Sequence, residues 1–204
     1  EYAMDTADAC HARGIATVAV TAGYIGLDAR REFYAKMDAA NVDLKAFTDD
    51  FYMRLCGARL HPVLDTLVYL VRETDVWTEI TTLLIPDRND SDEELTQMCG
   101  WIARELGPDV PLHFTAFHPD YRMVDEEPTS ARALVRAAEI GASEGLHFVY
   151  AGNLPGAVRS WENTYCPGCR GLLVERLGFR VLCNRLDASG RCPDCRQAVP
   201  GVWG

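Results

Sequence analysis

Two cysteine pairs near the C-terminus, Cys166-Pro-Gly-Cys169 and Cys192-Pro-Asp-Cys195, carry the clearest chemistry in the chain. Their spacing is C-x2-C-x22-C-x2-C. Four thiols so arranged form a tetrahedral cage for one metal ion, because each C-x2-C turn turns two sulfurs onto a common centre. Proline in each turn stiffens it and lowers the entropy lost on ligation. Between the pairs, residues 172–182 read as two strands around Gly178, so Cys166, Cys169, Cys192 and Cys195 are expected to sit on a zinc-ribbon-like β hairpin. A sulfur cage accepts zinc or a single iron, and spacing does not separate the two. Zinc in a closed, structural site is the expectation. The competing possibility is two disulfides, which suits adjacent C-x2-C turns poorly. Cys183 lies within the hairpin but outside both pairs, and is expected to pack as a small apolar side chain.

A second constellation is Val42-Asp43-Leu44-Lys45. A parallel strand is buried on both faces and should be almost purely apolar, a rule that Asp43 and Lys45 break together. At period two they point to one side, where an open mouth or a bound ligand would solvate them. Pairing with each other beside a strand end is the plainer alternative.

These residues need a frame. Strand-like segments at 15–20, 41–45, 76–85, 112–117 and 147–150 alternate with helical stretches near 28–39, 62–74, 91–107 and 128–145. Ser91 caps an acidic first turn in one of these helices. Such alternation is the signature of consecutive βαβ units and a parallel sheet. In a β/α barrel the C-terminal strand ends line the site, and here they carry Thr21, Asp43 with Lys45, Pro86-Asp87, His118 and Asn153. Five strands do not close an eight-stranded barrel. Glu1 stands where an initiator Met would, and a helical pattern is already running from Tyr2 without a cap, so the sequence is expected to be the rear part of a longer protein.

The 204 residues, 48% hydrophobic, are enough for a substantial core. A formal charge of −10 argues against nucleic acid as the main partner. The tail's Arg excess reads as local compensation for metal-bound thiolates. With eight cysteines and no secretory leader or long apolar run, a cytoplasmic protein with no membrane partner is expected.

Several blocks in this order carry a resemblance: Val20-Thr-Ala-Gly-Tyr-Ile25, Asn41-Val-Asp-Leu-Lys-Ala-Phe47, Thr81-Thr-Leu-Leu-Ile-Pro86, His113-Phe-Thr-Ala-Phe-His-Pro-Asp-Tyr121, Glu162-Asn-Thr-Tyr-Cys-Pro-Gly-Cys169 and Pro200-Gly-Val-Trp-Gly204. From Glu1 to Gly204 the chain resembles the radical S-adenosylmethionine (SAM) enzymes of the AmmeMemoRadiSam system, relatives of the pyruvate formate-lyase activating enzymes. The resemblance implies an α/β fold: residues 1–158 as the C-terminal part of a partial, TIM-like radical SAM β/α barrel, and 159–204 as the four-cysteine tail. It implies SAM across the strand ends, with Thr21, Asp43 and Lys45 near its amino-acid moiety and His118 close by. Capping of a strand end is the alternative role for His118, while His113 is expected to be a satisfied core or outward-facing residue.

By the same resemblance, the intact protein would use a [4Fe–4S] cluster to cleave SAM reductively, giving a 5′-deoxyadenosyl radical that acts on an unknown substrate. The chain departs from the family in two places. Val20-Thr-Ala-Gly23 replaces the usual Asp-Thr-Asn-Gly, and the cluster-binding Cys-x3-Cys-x2-Cys is absent. Cys10, Cys56 and Cys99 are too scattered to form it, so the chain alone is expected to be inactive. AMMECR1-like and Memo-like companion proteins are the implied partners. Tyr121, Arg122 and Asp125 are substrate-side candidates by position only. Two other function classes stay in view. One is a non-catalytic module whose ribbon docks a partner; the other is a metal-dependent hydrolase, for which His118 with Asp43 is a thin donor set.

Overall fold

The computed structural model describes residues 1–203. Helix α1 (Tyr2–His11) leads into β1 (Val18–Thr21), α2 (Leu27–Tyr34) and β2 (Ala39–Asp43). A short α3 (Asp49–Phe51) runs into a π-helical turn, Tyr52–Cys56, followed by α4 (His61–Glu73) and β3 (Trp77–Leu84). Helix α5 (Asp92–Glu105), β4 (Leu112–Ala116), α6 (Ala131–Ser143) and β5 (Val149–Gly152) complete the sheet. The tail is an antiparallel unit of β6 (Thr164–Tyr165), β7 (Leu172–Leu177) and β8 (Arg180–Asn184).

Strand order is the informative feature. All five strands are parallel and stand in the sheet as β1-β2-β3-β4-β5, in chain order. Right-handed crossovers that always step the same way put every connecting helix on one face. A doubly wound sheet reverses its order part-way and covers both faces; this one does not. The result is a singly wound segment of a β/α barrel.

One-sided covering corrects the expectation that these strands are buried on both faces. Burial alternates strictly along β2, β3, β4 and β5. Val42, Ile80, Leu84, Leu112 and Phe114 point to the helices and are fully buried. They pack on Leu67 and Leu70 of α4, Leu95, Met98 and Ile102 of α5, and Leu134 of α6. The neighbouring positions, including Asn41, Asp43, Glu79, Thr81, His113 and Tyr150, form the opposite, half-exposed face. Period two therefore separates core from open face in every strand. Cys99, buried in α5, belongs to this core, and burial pushes its thiol up to about 12.

The C-terminal edge of the sheet is tied together by buried polar side chains from the loops. Asn89 is 2% exposed. Its Oδ1 accepts from Ile85 N at 2.7 Å, and its Nδ2 donates to Lys45 O at 2.6 Å and Leu83 O at 2.9 Å. Thr82 Oγ1 donates to Leu44 O at 2.8 Å, and Thr129 Oγ1 bridges Leu84 O and Phe117 N. Glu94 in the first turn of α5 accepts from Phe47 N at 2.6 Å. In this way the segment just after β2, which carries Lys45, is fixed from behind.

Replacing Asn89 by Leu strands three backbone groups in a dry setting. We expect Asn89→Leu to lower unfolding free energy by about 2 kcal/mol or more, read as a lower urea midpoint with unchanged slope.

Candidate functional site

The sequence-derived SAM residues stand along the C-terminal edge of the sheet. Thr21 closes β1, Asp43 closes β2, Lys45 follows two residues on, and His118 lies two residues beyond β4. Asp43 and Lys45 share one side, as period two requires, and they pair: Lys45 Nζ lies 2.9 Å from Asp43 Oδ2. Their side chains are 36% and 39% exposed, so the pair is open to solvent rather than sealed. The two side chains pair with each other on a side open to solvent. In register, Asp43 stands opposite Thr81, and Thr81 opposite His113, so the pair shares one row of the open face with the residues described below.

Lys45 is positioned by two backbone anchors. Its N–H donates to the Tyr52 hydroxyl at 3.1 Å, and its carbonyl accepts from Asn89. Tyr52 opens the π-helical turn, a device that widens a helix to aim a side chain. Burial pushes the Tyr52 phenol up to about 12, which keeps it neutral. Cys56 ends that turn before left-handed Gly57.

Thr21 Oγ1 accepts from Gly23 N at 3.2 Å. Gly23 has φ +65, and a Cβ there would meet Val42 Cγ1 at 2.8 Å, so glycine is required where the chain turns away from β1. His118 is exposed, and among the described residues its ring has one hydrogen-bond partner, Pro119 O, at 3.4 Å. Tyr121, Arg122 and Asp125 lie on the exposed loop after it, with the Arg122 guanidinium over the Tyr121 ring.

The four tail cysteines come together. One ligand atom from each of Cys166, Cys169, Cys192 and Cys195 lies within 4.8 Å of all the others. Cys166 Sγ is 3.5 Å from Cys195 Sγ, and Cys169 Sγ is 3.6 Å from Cys192 Sγ. A tetrahedron with Zn–S bonds of ~2.3 Å needs sulfurs roughly 3.8 Å apart, so the set fits a single ion. All four are free thiols, not disulfides. The two turns are built alike: Arg170 N donates to Cys166 O and Arg196 N to Cys192 O, each at 2.9 Å, and both Arg residues are left-handed.

Burial opposes ionisation at Cys192, but the N–H groups of Cys195 and Asp194 outweigh it and bring the thiol to about 7. At Cys169 the Gly171 N–H favours the thiolate, yet burial and the other three sulfurs push it up to about 12. Four thiols this close share protons unless a cation is present. Arg185 clamps the second turn through Asp194, at 2.7 and 3.1 Å, and also donates to Leu172 O. Cys183 is exposed, not packed, because every residue of the outer strand β8 is exposed.

Sequence reasoning missed a polar chain on the open face. His113 Nε2 lies 2.8 Å from Glu79 Oε2, and Trp77 Nε1 donates to Glu79 Oε1 at 3.0 Å. The His113 and Tyr150 rings stack with centroids 4.9 Å apart. Tyr150 OH meets Thr164 Oγ1 at 2.9 Å, and Arg176 Nη1 donates to the same oxygen at 2.7 Å. Burial would raise Glu79, but the His113 and Trp77 hydrogen bonds and the Arg176 charge win and hold it below the usual carboxylate range. A cleft of about 570 Å³ opens between this face and the ribbon. The signal available in the sequence was the period-two polar alternation Trp77-x-Glu79 and His113-x-Thr115.

Comparison with known proteins follows this geometry. No family model matches the sequence. An uncharacterized protein of Methanocaldococcus jannaschii is 38% identical over 200 residues, covering 98% of this chain and 58% of that protein. The chain thus spans less than two thirds of the length of the relative it matches. Among solved structures it is similar to a domain of pyruvate-formate lyase-activating enzyme from Bacteroides vulgatus, with TM-score 0.63 and 16% identity over 74% of this chain and 89% of that one. A radical SAM methyltransferase from Sphaerobacter thermophilus gives TM-score 0.47 and 18% identity over 66% and 37% of the two chains, too slight a likeness to carry argument. The fold is a partial β/α barrel like that of the activating-enzyme domain. Behind it stands a four-cysteine antiparallel hairpin unit.

Two outcomes follow. Cys169→Ser should lose the bound ion, measured as metal per chain, and loosen the tail while leaving the barrel's melting transition in place; full metal occupancy in the variant would contradict the site. Because the folded pKa of Glu79 is depressed, its stabilisation is present above the ordinary carboxylate range and is lost as pH falls through its folded value. The stability gap between wild type and Glu79→Gln should therefore be widest at neutral pH and shrink on acidification.

Proposed function

We propose that the intact protein is a radical SAM enzyme, related to that of the AmmeMemoRadiSam system, with residues 1–158 forming the rear of its barrel and 159–204 a zinc-held tail. The observation that carries this reading is the exposed Asp43–Lys45 pair at the C-terminal edge of a singly wound β/α sheet. The amino-acid end of SAM is a zwitterion. A preformed carboxylate–ammonium pair suits it, since the ligand carboxylate can take Lys45 and the ligand ammonium Asp43 by exchange of partners. Thr21 and His118 flank that position along the same edge. Asn89 and Tyr52 hold the Lys45 backbone, so little ordering remains when the ligand arrives.

Bound SAM, on reductive cleavage, supplies the hydrogen-abstracting power of such an enzyme. The residues of this chain do not fit the iron–sulfur cluster that this cleavage needs. Cys10 lies in α1, Cys56 at the end of the π-helical turn, and Cys99 is buried in α5. We assign the cluster ligands to a part of the full-length protein outside these 204 residues. The ribbon, whose hairpin strand β8 is wholly exposed, is the proposed docking element for AMMECR1-like and Memo-like companions.

The full-length protein, reconstituted anaerobically with iron and sulfide, should form deoxyadenosine from SAM with a strong reductant, whereas residues 1–204 alone should not. Lys45→Ala should weaken SAM binding about tenfold or more, as expected for loss of a charge-assisted hydrogen bond. A full-length protein that forms no deoxyadenosine with an intact cluster spectrum would leave the non-catalytic module as the reading.

A further inference from the structure

The cleft between the open face and the ribbon shares His113 with the row that runs through Thr81 to Asp43, but neither Asp43 nor Lys45 lines it. It is nevertheless built like a binding site. Its volume, about 570 Å³, falls within the ~300–1,000 Å³ of small-molecule sites. Trp77, Tyr150, Phe179 and Trp203 give it aromatic walls from both the sheet and the tail.

What it can recognise depends on which of its groups keep hydrogen-bonding capacity. Two carboxylates line the cleft. Glu79 accepts from Trp77 and His113. Glu162, 9% exposed, accepts from Gly156 N at 2.9 Å and Gly178 N at 2.6 Å. Both are satisfied within the protein. Arg176 is not. Its Nη1 donates to Thr164 Oγ1 and Glu162 O, and its Cζ sits 5.8 Å from the Tyr150 ring centre. Those contacts fix the half-buried guanidinium in place. Among the described residues, its Nε and Nη2 have no hydrogen-bond partner, and no carboxylate forms an ion pair with it. These two nitrogens share one edge of the guanidinium, the edge that takes a carboxylate with two parallel hydrogen bonds. A half-buried cation held by its other edge, with that fork empty, is an anion anchor.

We propose that this cleft binds a small organic carboxylate with a planar aromatic body, its carboxylate on the Nε–Nη2 edge of Arg176 and its ring against the aromatic walls. A cationic ligand would have to displace the hydrogen bonds that Glu79 and Glu162 already accept. An uncharged aromatic would use the walls but leave Arg176 unpaired.

The test uses ligand-observed NMR on the protein with naphthoate and its uncharged amide as probes. Naphthoate should show saturation transfer and the amide much less. Arg176→Met keeps the apolar stem and should weaken naphthoate binding about tenfold or more. Since Arg176 also holds Thr164, a second variant leaves it untouched: a Cβ on Gly152 meets Thr115 Cγ2 at 3.6 Å and Phe114 O at 4.0 Å, ordinary contacts, so Gly152→Leu can narrow the cleft from its wall. It should abolish binding with the four-cysteine metal content unchanged. Equal binding of acid and amide, no binding of either, or undiminished binding by Gly152→Leu would each overturn the proposal.

Discussion

A parallel sheet whose crossovers all lie on one side is left with a bare second face, and the rest of this molecule is organised around that face. Apolar burial against α4, α5 and α6 is complete on the covered side, where Ile80, Leu84, Leu112 and Phe114 are sealed. The opposite side cannot be apolar throughout without forming a large sticky surface. It carries Asn41, Asp43, Glu79, Thr81, His113 and Tyr150 instead, and their mutual hydrogen bonds make a polar face affordable in a half-exposed setting. The edge strand β1 keeps an apolar open face, with Val20 79% exposed.

The ribbon completes this arrangement. Thr164 and Arg176 reach from the tail to Tyr150 of the sheet, while Phe148 of the barrel joins Cys166, Cys192, Leu173 and Val199 in a second small core. The tail is too small to bury much apolar surface of its own. Four thiols closed on one cation offer what its core lacks, and the cleft is the space left where ribbon and sheet meet.

Much of this was legible from local pattern. The five strands and their intervening helices follow from alternating apolar periodicity, and Ser91 caps α5 as read. Cys166, Cys169, Cys192 and Cys195 declared themselves by spacing, because both turns are short-range. Asp43 and Lys45 stood out because two charges at period two are rare in a parallel strand. Asn89, Glu79 and Arg176 escaped notice for the converse reason, while His113 is satisfied and on the open face, as read, without its partner having been foreseen. Each acts through partners outside its own secondary-structure element, and none carries a motif. Burial on both faces was the wrong expectation because it took the doubly covered sheet as the default, while the strand order that decides the matter is not written in any one segment. The exposure of Cys183 was hidden in the same way, since only the tail's packing shows that β8 is an outer strand.

The central claim is that the open face, at its C-terminal edge, grips the amino-acid end of a sulfonium nucleotide. Amide chemical-shift mapping of the full-length protein with S-adenosylhomocysteine addresses it most directly. The account predicts that the signals of Thr21, Asp43, Lys45 and His118 move together and saturate on one binding curve. Shifts confined to the helix-covered side or to the ribbon, with Asp43 and Lys45 unmoved at saturation, would contradict it.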